Sequence, residues 1–416
     1  MKSEQALRRR DKERMSWSQF NERVTDNHFR RMFRMSRDCF DLLCCAIISR
    51  VGEKQFKSES YLDSFLRDES IKNKSSMMHN AHMHTSGGFI SGEVKLAIAL
   101  RMLAGGSALD ISVIFDVSES HCKTVFIKVL HDWIVKVNIG SIDIESYLKD
   151  EDAMRHVSNG FSRRSNGILC GAIGAIDGWL VKIQRPHEIR DGIKNPASFF
   201  SRKGFYALNV QTMVDHNKKV LWASYSNRGS SHDSTCFRNS YLYQRILKMI
   251  QHTLFTKSYF ILGDSAYAIK SFILPPYDNA KPKATEDAFN FYHSSARITV
   301  ECAFGEIDRR WGIFWSPIAY SLFNTCIICE GAMHLHNFLV DYRNMLKTVT
   351  EDIEIKNEIF NNERLDNGII SDAVTNDCER PPGRPSDNEI LCRQNGLVLR
   401  DHLKLSLVNH NMKRKE

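Results

Sequence analysis

The sequence predicts an α+β protein in which an all-helical region precedes a mixed β-sheet flanked by helices. Three observations carry that reading. Between Ser91 and Trp133 apolar residues recur at three- and four-residue steps. Between Ile168 and Asp264 lie four short runs rich in β-branched and apolar residues. From Ala284 to Trp311 helical spacing returns, with Arg297, Glu301, Phe304 and Asp308 on one side.

The chain has 416 residues, 42% of them hydrophobic and 25% charged, which excludes a wholly disordered chain. At roughly 100–200 residues per domain, two or three units fit. No apolar run approaches the roughly 18 residues of a membrane span, so no membrane association is expected. The start, MKSEQALRRRDKERM, has no apolar segment behind its charges, so an intracellular chain is expected. The 11 cysteines are an odd, irregularly spaced set, expected to be reduced.

Net charge is +8, unevenly distributed. Residues 1–37 carry eleven Lys/Arg against five Asp/Glu, residues 351–379 two against nine, and residues 380–416 eight against four. Residues 1–90 therefore read as a basic N-terminal helical region containing a polar linker at about 72–88, and 343–379 as a disordered acidic linker before a basic tail at 380–416. His79, His82 and His84 in the first linker read as chance histidines of a flexible tract.

Residues 91–140 have the layout of a helix-turn-helix. Ser91 caps a helix that Gly105-Gly106 stops, Ser107 caps a second with Ile111, Ile114 and Phe115 inward, and Asp116-Val117-Ser118 turns into a third. On that third helix Cys122, Val125, Phe126, Val129 and Trp133 face inward, which leaves Ser120, His121, Lys123, Thr124 and Lys128 to reach a DNA major groove. Spacing alone leaves open a plain three-helix packing unit whose polar face is only solvated.

Residues 165–342 carry the chemistry. ILCGAIGAIDGWLVKIQRP puts Asp177 on an apolar strand, where a bare carboxylate is costly. Two strands follow as a hairpin turning through Asp215 to Lys218, then a helix with Asp233 as its N-cap, then a short strand ending at Gly263-Asp264. Strand, strand, strand, helix, strand, helix, with acids on the first strand, the fourth strand and the late helix, is the order of a ribonuclease H-like nuclease core. Two divalent ions clamping a phosphodiester need such carboxylates. Asp177, Asp264 and Glu301 are the expected catalytic and metal-holding residues, while Asp215 and Asp233 are rival acids, and a single strand-end acid is usually just a solvated loop residue.

The strings AIDGWLVKIQRP, FFSRKGFYALNVQTMVD, GSSHDS, ILGDSAYAIKSFILPPY, ARITVECAFGEIDRRWGIF and LHNFL, in that order, resemble the Harbinger-type transposases and the nucleases derived from them, of the DDE superfamily. The upstream MFRMSRDCFDLLC and KLAIALRMLAGG resemble the helical region that precedes the core in that family. The resemblance implies a metal-dependent DNA endonuclease or transposase with Asp177, Asp264 and Glu301 as its triad, the last two 37 positions apart. It further implies two magnesium ions, with manganese as substitute, DNA as substrate, a Myb-like DNA-binding partner protein, homo-oligomers, and the nucleus, or the cytoplasm as well, as compartment. One departure is Trp179, where the family more often has a small hydroxyl residue after the Gly. The alternative function is a domesticated DNA-binding or regulatory protein that keeps the fold without cutting.

Lys203, Arg297, Arg309 and Arg310 are candidate phosphate contacts, with an ion-paired or solvated helix face as the alternative. In the tail, Arg384 of RPPGRP suits a narrow minor groove, and Leu397, Leu399, Leu403 and Leu407 suggest a terminal helix. Cys326, Cys329, His334 and His336 imitate a zinc pattern, but on one helix the two histidines cannot join both cysteines, which favours a core helix.

Overall fold

The computed structural model describes residues 15–53, 56, 90–251, 259–282, 284–362 and 396–404. The linker at 72–88, the Arg8-Arg9-Arg10 run and Arg384 lie outside them. Two compact units are present, Met1–Ile139 with Asp308–Leu335, and Gly140–Ile307 with His336–Glu416.

In the first unit α1 (Trp17–Arg23), α2 (Asp26–Phe33) and α3 (Arg37–Val51) start at Ser16, Thr25 and Ser36, whose hydroxyls accept backbone N–H groups of the first turn. Their inward faces are aromatic, Trp17 stacking on Phe20 and Phe40 while Phe29 and Phe33 meet edge to face. The three helices expected after Ser91 form as α4 (Gly92–Leu103), α5 (Ala108–Phe115) and α6 (Glu119–Lys128), capped by Ser91, Ser107 and Ser118. A π-helical turn, Val129–Val135, follows. Gly105, at φ +91°, lies so close to the Gly312 backbone that a Cβ there would sit 3.1 Å from it.

The second unit opens with α7 (Ile144–Lys149) and α8 (Glu151–Arg164), then builds one sheet from β1 (Ala172–Lys182), β2 (Ala207–Val214), β3 (Val220–Arg228), β4 (Phe260–Leu262) and β5 (Ile273–Leu274). Strand order is β3-β2-β1-β4-β5, with β1–β2 and β2–β3 antiparallel and β1–β4 and β4–β5 parallel. Such a mixed five-stranded sheet flanked by helices is consistent with a ribonuclease H-like core. The β2–β3 turn falls where expected, and Asp215, the rival acid, belongs to it: Asp215 Oδ1 accepts the Asn217 and Lys219 N–H groups at 2.7 and 2.8 Å. β5 has no sequence signal of its own, being two residues long in front of Pro275-Pro276.

Between strands run α9 (Glu188–Asp191), α10 (Asp233–Arg238) and α11 (Tyr241–Gln251). After β5 come α12 (Thr285–Arg310) and α13 (Leu322–Asn362). Residues 343–362 correct the expected disordered linker, because the helix runs on through them. Acidic composition suggested a linker, but no Gly or Pro interrupts 332–366 and Glu, Lys and Leu all favour helix.

The zinc-like residues serve packing instead. Cys329 is fully buried, and His334 and His336 direct ring N–H groups at the carbonyls of Ile139 and Lys218, both at 2.8 Å. One turn on, Asn337 is buried against the sheet edge. Its Oδ1 accepts the Val220 N–H at 2.7 Å while Nδ2 donates to the carbonyls of Val220 at 2.7 Å and Ser141 at 3.2 Å. β3 is an edge strand, so Val220 has no further strand to bond on that side. Asn337→Ala orphans both of its backbone groups. The expected cost is about 2–4 kcal/mol, read as a lower midpoint in thermal denaturation, whereas Lys347→Ala, on the exposed helix face, leaves the midpoint in place.

Candidate active site

Parallel pairing of β1 and β4 matches Ala175 with Leu262, so two residues further on Asp264 stands beside Asp177. The third expected acid arrives on α12, which is fastened to the sheet by His293: fully buried, its ring N–H donates to the Leu274 carbonyl of β5 at 2.8 Å. Helical spacing then repeats that face at Arg297 and Glu301. Arg297 joins the set, its Nη1 donating to Asp177 Oδ2 at 3.0 Å and its Nη2 to Glu301 Oε1 at 2.5 Å. With its side chain only 16% exposed, Arg297 is an internal counter-charge for the acids and not the open phosphate contact expected of it. The Gly178 N–H donates to Asp177 Oδ1 at 2.7 Å and the Ala266 N–H to Asp264 Oδ1 at 2.9 Å.

A fourth acid is Asp233, one of the two rival acids and the expected N-cap of its helix. His232, not Asp233, is the N-cap residue of α10, and it makes no side-chain cap bond. Asp233 is the first helical residue and its Oδ1 accepts amide N–H groups from Asn209 at 2.8 Å and Gln211 at 2.7 Å on β2. Gln211 is held in turn by the buried Tyr267 hydroxyl, which donates to its Oε1 at 2.6 Å. Gly178 makes room for this, since a Cβ there would collide with Asp233 Oδ1 and the Gln211 amide. The amide line from Tyr267 through Gln211 to Asp233 was the signal available in the sequence, as alternate polar residues on an otherwise apolar strand.

Electrostatics link Asp177, Asp264 and Asp233. Burial, aided by the charges of Asp264 and Asp233 and opposed by the Gly178 N–H and the Arg297 guanidinium, pushes the Asp177 carboxyl up to about 6. Asp264 is raised as well, again by burial first, with Ala266 N–H and Arg297 opposing and Asp233 adding. Carboxylate oxygens are the donor type a hard divalent cation takes, and the charges of Asp177, Asp264 and Asp233 repel one another. Among the described residues no three His, Cys, Asp or Glu side chains form a ready-made metal cage, and the guanidinium of Arg297 bridges two of the acids concerned.

The remaining expected residues sit apart. Ser120, Lys123 and Thr124 are exposed on α6, with His121 and Lys128 half-buried; all five belong to the first unit, as do Arg309 and Arg310. Arg310 donates to the Arg34 carbonyl at 2.7 Å. Lys203 lies in the second unit, exposed on a turn before β2. Trp179, two residues beyond Asp177, stacks on Phe304 of α12 with ring centroids 5.6 Å apart, so one helix meets both side chains of that strand face.

A raised carboxyl gives a signed expectation. Between its unfolded value near 3.8 and about 6, native Asp177 keeps a proton that the unfolded chain has lost, so metal-free stability falls as pH rises through that window. Asp177→Asn is expected to flatten the fall and to raise the denaturation midpoint in EDTA at pH 7 above that of the wild type; an equal or lower midpoint contradicts it.

Residues 176–337 match the family described as DDE superfamily endonuclease. The chain is 23% identical over 347 residues to Protein ALP1-like of Arabidopsis thaliana, covering 78% of this chain and 75% of that protein. It is 23% identical over 314 residues to the Arabidopsis thaliana protein Antagonist of Like Heterochromatin Protein 1, covering 71% and 72%. Over a shorter stretch, 38% of this chain and 41% of the relative, it is 24% identical to HARBI1 of Xenopus laevis, named as a candidate nuclease. No solved structure matches. The matched segment begins just before Asp177 and ends at Asn337, and these likenesses support a similarity to the Harbinger-type, transposase-derived nucleases of the DDE superfamily.

Proposed function

We propose that the protein cuts DNA phosphodiester bonds with divalent metal ions held by Asp177, Asp264 and Glu301, with Asp233 as a further carboxylate of the same site. The observation that carries the reading is the gathering of acids at one place, where Asp177 and Asp264 are both raised by burial and neighbouring carboxylates and Arg297 bridges Asp177 to Glu301. Magnesium, or manganese in its place, would supply activation of the attacking water or DNA 3′-hydroxyl and stabilisation of the leaving oxygen. The chain's own residues do the rest. Backbone N–H groups of Gly178 and Ala266 fix one oxygen each of Asp177 and Asp264. The amides of Asn209 and Gln211 fix Asp233. Arg297 holds Asp177 and Glu301 in place, and Trp179 with Phe304 forms an aromatic wall beside them.

The rest of the chain serves attachment in this reading. Ser120, His121, Lys123, Thr124 and Lys128 on α6 read a major groove as the last helix of a helix-turn-helix, Lys203, Arg309 and Arg310 neutralise phosphates, and Arg384 enters a minor groove. A Myb-like DNA-binding partner, homo-oligomers and a nuclear location complete the proposal, all implied by the family. One of the matched relatives favours a second reading, a domesticated regulator, because it aligns over 72% of its length and is named as an antagonist of a heterochromatin protein.

Two measurements decide. Nicking of supercoiled DNA in magnesium is expected, and Asp177→Ala, Asp264→Ala or Glu301→Ala is expected to lower it by about two to three orders of magnitude; full activity in any of them removes the triad. Titration of the wild-type chain with manganese by calorimetry is expected to give saturable heat that Asp177→Asn abolishes. No heat in the wild type rejects the nuclease and leaves the regulator.

A further inference from the structure

Next to Gly178, on the face of β1 that meets Asp233, is a cleft whose cationic wall the acid chemistry does not use. It is lined by Gly178, Arg202, Lys203, Ser230, His232 and Asp233, among others. One wall is a closed turn: Phe200 and Tyr206 bridge, the Ser201 N–H and hydroxyl both donate to the Phe205 carbonyl at 2.8 Å, and Gly204 takes φ +83°. Arg202 and Lys203 stand exposed at its tip and make no ion pair among the described residues. The opposite wall, Gly229 to His232, is tied to the segment just before that turn, since the Ser230 hydroxyl and N–H donate to the Ser198 carbonyl at 2.7 and 3.3 Å. Gly229 presses against backbone so closely that a Cβ would lie 2.6 Å from the carbonyl oxygens of Phe199 and Ala207.

Two permanent cations and an imidazole are therefore held over a cleft that ends at an acid of the site. The field of Arg202 reaches that site, being among the charges that lower the Asp264 carboxyl. An anion that suits both features is one that continues from the acids into the cleft, and a polymer of phosphodiesters does so, offering its next charge to an Arg fork and an ammonium.

We propose that the cleft binds the backbone phosphodiester adjacent to the one at the acids, so that Arg202 and Lys203 set the register of the bound strand. The proposal rests on the nucleic-acid reading of the same site and names how that strand is positioned.

The test uses the full chain carrying Glu301→Gln, so that DNA is bound without being cut, with a short duplex and fluorescence anisotropy across a potassium chloride series. Arg202→Ala with Lys203→Ala is expected to flatten the slope of log K against log salt by about 0.9, the share of one phosphate contact. Both side chains are exposed, so an unchanged denaturation midpoint is expected to accompany the change. Duplexes with a single neutral methylphosphonate, moved one linkage at a time, are then expected to show one linkage whose neutralisation weakens the parent at least fivefold and the double variant not at all. An unchanged slope overturns the proposal, as does a methylphosphonate penalty that survives in the double variant. So does saturation of the parent by inorganic phosphate with no change in DNA slope on substitution, which assigns the cleft to a free anion. A chain that binds in this pattern yet never nicks DNA keeps the cleft and rejects the nuclease, so the two readings fail separately.

Discussion

Gathering carboxylates at one end of a sheet costs free energy twice, once for lost hydration and again for mutual repulsion. Asp177 and Asp264 bear both costs, and what makes them tolerable is a guanidinium that reaches Asp177 and Glu301 together. Much else in the second unit follows from placing that group. α12 must lie along the sheet with one face repeating at His293, Arg297 and Glu301, and the buried bond from His293 to the Leu274 carbonyl fixes it there. β5, short as it is, supplies that carbonyl. The strand order brings β4 next to β1 and so completes the group of acids.

The polar residues of β2 answer the same constraint from the other side. A strand buried along its whole length has no reason to carry Asn209 and Gln211 unless something meets them. Asn209 and Gln211 meet Asp233, and Tyr267 satisfies the remaining oxygen of Gln211. The site is thus supported by neutral amides on one side and by a cation on the other. Amides fix a carboxylate without competing for its charge, whereas a guanidinium competes directly, so the two supports have different consequences for what the acids can bind.

The parts of this arrangement written in local chemistry were legible in the sequence. Hydroxyl caps at Ser91, Ser107 and Ser118 start their helices where expected, because a cap depends on a few neighbouring residues only. The four strands before Asp264 and the turn at Asp215 were equally plain. What escaped was decided at a distance. Asp233 has the sequence look of a cap, and only the amides of a strand more than twenty residues away give it another partner. Arg297 looked like a surface phosphate contact because a helix position i+4 from an acid says nothing about a strand 120 residues earlier. The helix through 343–362 was obscured by charge: the composition that suggests a linker is also compatible with continued helix, and no breaking residue intervenes.

Gly178 is where these supports meet, with the Asp177 carboxylate bonded to its N–H and the Asp233 carboxylate lying where a side chain would be. For the history of the chain this makes the position a ratchet. A substitution there cannot be absorbed by a small local shift, since it displaces an acid and the amide that holds it in a single step. Sequence drift around the site can therefore proceed at Trp179, whose neighbours in space are side chains on a helix, while the residue just before it stays glycine for as long as Asp233 keeps its place.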